Sequence, residues 1–475
     1  MVSDREQVLV DPHPPGDGVD GPQTALVPVD PPTPPAARGM SWRRAPGRPR
    51  SAWTVVLPLA AAVVLGTAAG VAPAPVGGAV VAGAVVAGLL LRLEWAALAV
   101  VGASVFEDYL AQADPRISKV LALVLLVSWL IRRCSPRGRP PTRSPVLLAA
   151  LAFTAVIAAS TLLHNNGDAG QHVVVRYAGF LVVLLVLADA LRDGLTPQRL
   201  ARAYVAACAA AALCGIATFA VGGDRRVGGP IGDPNDLAFF LIPAVALGPA
   251  VRGGRHPRLW DLATVVVVVG IAGTLSRGAL VGLVVMLLVV LVTGMVRARV
   301  VVGLVAAVVT AVLLVVVTLP GLVSVSLQQK GVVADQNVSE RLGLWRAAAQ
   351  MTVEHPVLGL GPGAFSLEHD EFTTNLPDDV NHPLDVAHNT WLEVSSELGL
   401  VGLAAFVAVL VLAFAGAWRA WKQRGDPVGA AVCAGLVGTA VAATFVTEQY
   451  YLPFWLLAAL AVGVSSPPKA GGPRP

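Results

Sequence analysis

The chain has 475 residues, of which 55% are hydrophobic and only 13% charged, with a formal net charge of +4. A water-soluble domain carries about 25% charged residues, and the mean hydropathy of +0.69 excludes one. The composition is that of an all-α, polytopic integral membrane protein, with the lipid bilayer as its surroundings and no nucleic-acid partner.

Residues 1–50 hold eleven prolines, several acids and then a basic cluster, Arg43, Arg44, Arg48 and Arg50. Such a segment cannot bury a core and is expected to be a disordered cytoplasmic arm. No cleavable signal peptide is expected, since the first apolar run begins only near residue 53. Apolar segments then follow at 54–72, 75–91, 95–106, 117–131, 146–163, 173–190, 202–221, 237–251, 259–275, 278–296, 300–319, 398–417, 428–446 and 452–464. The 95–106 stretch is short, and 75–91 opens on Pro75, Gly77 and Gly78, so twelve to fourteen spans are predicted. Eleven of these helices occupy 51–319, one long loop fills 320–397, three more spans occupy 398–464, and a short tail closes the chain at 465–475. The cysteines, Cys134, Cys208, Cys214 and Cys433, fall in one basic loop and three apolar stretches, with no metal-ligand spacing and no disulfide framework.

Charge orients the spans. With the N-terminus inside, the cytoplasmic loops carry the arginine runs Arg132-Arg133…Arg143, Arg252…Arg258 and Arg419…Arg424, while the outer segments are net acidic. That is the positive-inside pattern, and it puts both termini in the cytoplasm. Three segments then become external together: 222–236, the tight turn at Arg277, and the long loop.

The first external turn, Gly223-Asp224-Arg225-Arg226-Val227-Gly228-Gly229-Pro230-Ile231-Gly232-Asp233-Pro234-Asn235-Asp236, is forced tight by its glycines and prolines. Arginine beside such a loop suits an anion, because guanidinium grips phosphate bidentately. Two interfacial arginines at a turn is the plainer alternative. Arg277 stands alone between two apolar runs, which is costly unless it meets water or an anion.

In the long loop, Ser339 can cap a helix through Glu354, with Leu342, Trp345 and Ala349 on its apolar face and Arg341 and Arg346 off it. This reads as an amphipathic helix on the outer surface. The glycine-rich run Pro356–Phe365 lacks the Lys-Ser/Thr of a nucleotide loop and a preceding strand. The acids and imidazoles of Asp378-Asp379…His382…Asp385…His388 fit no strong metal signature, and no metal and no cofactor is expected. His388 precedes Asn389-Thr390-Trp391-Leu392-Glu393, the start of the helix into the next span. A near-neutral imidazole there is placed to take a proton from an incoming hydroxyl, or to cap and line the interface.

The strings RVGGPIGDPNDLA, SRGALVG, SERLGLWRAAAQMTVEHPVLGLGPGAF and HNTWLEVSSELGLVGLAAF, in this order and spacing across 222–410, resemble the O-antigen ligase/polymerase superfamily. The resemblance implies a GT-C-like membrane glycosyltransferase. Such an enzyme moves a glycan from undecaprenyl pyrophosphate to an acceptor glycan, lipid or protein, outside the cytoplasmic membrane and without a metal. By motif match it implies two arginines and a histidine as key residues, here Arg226, Arg277 and His388. Arg225 and Arg176 stand by as phosphate contacts, with Asn235 beside them, and Asn389 and Glu393 as residues that orient the histidine or the sugar. The rival reading is a transporter or flippase of an amphipathic anion, which needs charge spread through the membrane depth rather than gathered at the outer ends.

Overall fold

The computed structural model describes residues 73–135, 143–222, 226–254, 256–296, 298–318, 321, 340–372 and 386–465. The proline-rich arm, the 54–72 segment, Arg225 and the Asp378–Asp385 stretch lie outside these residues. The described residues are helical, with no strand among them. In chain order the helices are α1 (Pro73–Leu91), α2 (Leu93–Ser104), α3 (Glu107–Ala113), α4 (Ile117–Arg133), α5 (Pro145–Leu163), α6 (Gly167–Arg192), α7 (Pro197–Ala220), α8 (Pro234–Val251), α9 (Pro257–Thr274), α10 (Arg277–Thr293), α11 (Ala298–Thr318), α12 (340–354), α13 (Ala364–Phe372), α14 (Thr390–Arg424), α15 (Pro427–Ala442) and α16 (Leu452–Ser465).

Local chemistry sets their ends. Ser144, Thr196, Asp233 and Asp426 each accept a backbone N–H with their side chain one residue before a proline, which sits at the first helical position where its missing N–H costs nothing. Gly294 and Gly425 close α10 and α14 in the left-handed conformation.

Six helices, α5 to α9 and α14, are long and apolar enough to cross a membrane; α10, α15 and α16 are apolar but shorter. Every apolar segment read from the sequence beyond residue 73 coincides with a helix. The 75–91 and 95–106 segments do not stand as two straight crossings: they form a pair bent by 115° at Arg92, where a charged residue interrupts the apolar run. Exposed Leu148 and Leu151 on α5, and Leu280, Val284 and Leu288 on α10, run along outward faces, the surface a bilayer would cover. Inside, Phe153, Tyr177, Phe406, Phe454 and Trp455 pack ring to ring and tie α5, α6, α14 and α16 together.

The glycine-rich run Pro356–Phe365 is a backbone clamp. α14 breaks at Gly399 (φ 68°, ψ −176°), which frees carbonyls that helix bonds would otherwise use. Leu360 N and Gly361 N donate to Ser396 O and Glu397 O, and Leu400 N donates to Pro356 O. From below, Ser160 Oγ donates to Leu358 O and Asn166 Nδ2 to Leu360 O and Pro362 O. The glycines are needed because backbone meets backbone here: a Cβ on Gly399 would overlap the carbonyl of Val357.

Candidate functional site

The end of the bundle where α7, α9 and α15 finish and α8, α10, α14 and α16 begin gathers most of the residues singled out by sequence. Arg226 lies in the short segment before α8. Its Nε donates to Thr274 O at 2.7 Å and its Nη2 to Asn235 Oδ1 at 3.1 Å, while Val227 N donates to Gly273 O. Asn235 therefore holds Arg226. The same Thr274 begins the turn to Arg277: Ser276 N donates to Thr274 Oγ1 and Ser276 Oγ caps α10 at Ala279 N. Arg277 is exposed at the first position of α10. Thr274 thus holds Arg226 directly and shapes the turn that leads to Arg277.

His388 is held from behind. Glu393, 2% exposed, accepts from Ala387 N at 2.8 Å, Thr447 Oγ1 at 2.7 Å, Gln449 Nε2 at 3.2 Å and Tyr450 O–H at 3.4 Å. Four donors on one buried carboxyl make it a fixed post for the residue preceding the histidine. Asn389 Oδ1 caps α14, accepting from Trp391 N and Leu392 N. Of the two roles expected for Asn389 and Glu393, the geometry favours orienting the histidine over touching the sugar. His388 itself is left-handed (φ 48°); Leu275 (φ 53°) is the only other non-glycine described residue with positive φ. Both outliers flank the candidate site, one at the histidine and one two residues before Arg277.

Arg341 joins this group, against the sequence reading. The expected apolar face of α12 is out of phase: Leu342 is 44% exposed, and the packed stripe is Leu344, Ala347, Ala348 and Met351. That stripe meets Phe365 and Ala387, a small second core beneath His388. Extended one turn back, it reaches Arg341, whose Nη1 donates to Phe445 O at 3.2 Å. The sequence signal was ambiguous because Leu342 and Leu344 are both leucines and only the partner surface chooses between them.

The charges are not neutralised in pairs. Arg132, Arg133, Arg199 and Arg252 each meet a carboxylate elsewhere, whereas Arg226, Arg277 and Arg341 have no ion-pair partner among the described residues. Burial lowers Arg226, Asp233 opposes this, and Arg341 lowers it further; burial likewise lowers Arg341, against Asp233, Asp236 and Glu340. His388 is pushed down to about 4, by burial first and then by Arg341, with Asp233 opposing. The near-neutral imidazole expected from sequence is instead a firmly neutral one. Arg176, expected to be a reserve phosphate contact, is already engaged: Nη2 meets Glu107 Oε1 at 3.1 Å and the guanidinium lies over Tyr451 and Tyr450.

The 443–451 segment between α15 and α16 drew no attention in the sequence, yet it touches nearly every part of the site. Phe445 supplies the carbonyl for Arg341, and its side chain lies against Gly278, next to Arg277. Ala443 O and Val446 O both accept from Thr390 N, and Thr447, Gln449 and Tyr450 serve Glu393. A run of five polar and aromatic residues, Thr447–Tyr451, between two apolar spans was the available signal. Among the described residues no three His, Cys, Asp or Glu side chains are grouped to hold a metal ion.

A model of the O-antigen ligase family matches residues 262–407. No curated protein matches the chain. The matched region includes Arg277, Arg341, His388 and Glu393; Arg226 and its loop precede it.

Proposed function

We propose, from the match of residues 262–407 to the O-antigen ligase family, that the chain transfers or polymerises a glycan from an undecaprenyl-pyrophosphate-linked donor onto an acceptor hydroxyl, on the outer face of the cytoplasmic membrane. The observation that carries this reading is the cluster of three arginines without ion-pair partners beside a neutral histidine. Half-buried Arg226 and Arg341 repel one another, with Arg277 exposed beside them, and a pyrophosphate is the group that would relieve them. A flippase would need charge along the path through the membrane. Here Arg226, Arg277 and Arg341 gather at one end, and the buried acid Glu393 is spent on holding the loop.

In this reading Arg226, Arg277 and Arg341 hold the diphosphate, and the positive end of α10 adds to the field. The acceptor oxygen attacks the anomeric carbon, the bond from that carbon to the phosphate oxygen breaks, and the electron pair leaves on undecaprenyl pyrophosphate. His388 takes the acceptor's proton, and the sugar inverts. An imidazole at about 4 is a weak base in the empty site. The negative charge of the donor raises it, so basicity arrives with the substrate. The acceptor class, whether glycan, lipid or protein, is set by whatever approaches this opening.

The test uses purified protein in liposomes with an undecaprenyl-pyrophosphate-linked glycan, an acceptor extract and EDTA. Release of undecaprenyl pyrophosphate with formation of a product of inverted anomeric configuration is expected. Activity that vanishes in chelator and returns with a divalent ion would instead favour a metal reading through the Asp385 and His388 stretch.

A further inference from the structure

The end of α7 away from the candidate site holds a second charged opening, and the transfer scheme makes no use of it. α1 and α2 meet there in the 115° bend at Arg92. α2 packs along α4, α6 and α7, whereas none of residues 81–91 of α1 is buried. The bend leaves a cleft of about 250 Å³, several times the volume of one water, beside the last turns of α4 and α6. Its lining includes Leu91, Arg92, Glu94, Trp95, Arg132 and Asp193.

Two ion pairs fix the walls. Arg132 Nε donates to Asp193 Oδ2 at 2.5 Å, joining α4 to the residue that ends α6. Arg199 Nη1 donates to Glu94 Oε2 at 3.0 Å, joining the first turn of α7 to that of α2. Gly194 leaves room for Glu94: it holds φ +137°, and a Cβ there would come within 2.7 Å of Glu94 Oε1. Both acids are thereby neutralised. Arg92 has no ion-pair partner among the described residues. Three arginines thus face two acids, and the cleft keeps one positive charge in excess.

The surroundings of that charge are apolar. Leu91 is 75% exposed and Trp95 60%, so no protein covers these two walls. Tryptophan beside arginine at the ends of apolar helices is the composition of a bilayer–water boundary, and the arginine-rich loops read as cytoplasmic lie at this end. Basic pockets between membrane helices on that side suit anionic lipid headgroups. A group with one negative charge and attached hydrocarbon matches both parts of the cleft, its charge against Arg92 and its chains against Leu91 and Trp95. We propose that the cleft binds the phosphodiester headgroup of one anionic phospholipid of the cytoplasmic leaflet, with Arg92 as its principal contact. Free phosphate shares the charge but leaves the apolar walls uncovered. The inference stands apart from the transfer reaction, since no residue of this cleft belongs to that site.

Native mass spectrometry of the purified full chain in neutral detergent, titrated with palmitoyl-oleoyl phosphatidylglycerol, reads the binding directly. One copy of this lipid should be retained under activation that strips the matching phosphatidylethanolamine. Arg92→Gln should weaken its retention roughly tenfold, in the range of a hydrogen bond to a charged group. Glu94→Gln removes an acid from the wall and should strengthen retention, which damage to the fold would not do. Arg252→Gln, at an exposed arginine of the same end, should match wild type. Equal retention by Arg92→Gln and wild type, equal retention of phosphatidylethanolamine, weaker retention in Glu94→Gln, or displacement of the lipid by inorganic phosphate would each overturn the proposal.

Discussion

At the scale of single residues the site is built from positions whose ordinary interactions are withheld. Arg277 has no carboxylate partner among the described residues, and its guanidinium is suited to grip phosphate with two parallel bonds. Arg277→Lys should therefore be nearly as damaging as Arg277→Ala, each losing about 10²–10³ in transfer rate. A lysine variant with near-normal transfer would remove the bidentate role. His388→Ala should lose about 10²–10⁴ in rate while retaining affinity for undecaprenyl pyrophosphate, because the arginines remain; loss of binding in parallel with rate would assign His388 to the phosphate instead. Arg341 helps to hold His388 at about 4. Arg341→Gln should then raise the imidazole and move the acidic limb of kcat/KM toward higher pH, a direction a merely structural loss would not produce. The linkage has a definite sign. His388 is lowered from 6.5 to about 4 on folding, so the unfolded chain binds the extra proton and stability falls as pH drops from 6.5 toward 4. The fall in Tm over that window should be shallower in His388→Gln than in wild type.

At the scale of elements, two pieces of the long loop change meaning once packed. α12 was legible as a helix with its end near Glu354, but its phase was not. Leu344, Ala348 and Met351 bury against Phe365 and Ala387, and Arg341 comes with them. Hydrophobic periodicity with a leucine on either side of Gly343 supports both phases, so the partner surface decides. The glycine-rich run offered neither a nucleotide site nor any other role from sequence. Its role is to fill the hydrogen bonds of α14 where that helix breaks. Gly399 sits in a backbone region reached by almost no other residue type, so Gly399→Ala should destabilise the fold by on the order of 1–3 kcal/mol from backbone strain, before any overlap with Val357 is added. A clear drop in the unfolding temperature in detergent is expected, and an unchanged one would show that the clamp can open without loss.

At the scale of the whole molecule, the basic and acidic loops predict that the long loop faces outside the cytoplasm. Cysteine at Thr374, a position beyond the described residues, should react with a membrane-impermeant thiol reagent in intact cells. Labelling only after lysis would reverse the topology and move the proposed chemistry to the cytoplasm. Composition and hydropathy alone determined that this is an all-helical membrane protein and roughly where its helices lie, since those properties depend on what each stretch of chain can bury in lipid; the family it resembles was carried by four ordered motifs. Arg226, Arg277 and His388 stood out in the sequence, Arg277 as a charge isolated between apolar runs and the other two by motif and by their placement at the outer segments. Only the tertiary structure decided that Thr274 supports both arginines, that Arg176 is occupied by Glu107, that Arg341 enters the site, and that the unremarked segment 443–451 braces it. The reason is physical: a residue's exposure to lipid is written in its own side chain, but its hydrogen-bond partner is supplied by another part of the chain, 48 to 104 residues away in sequence for these contacts, that only folding brings near.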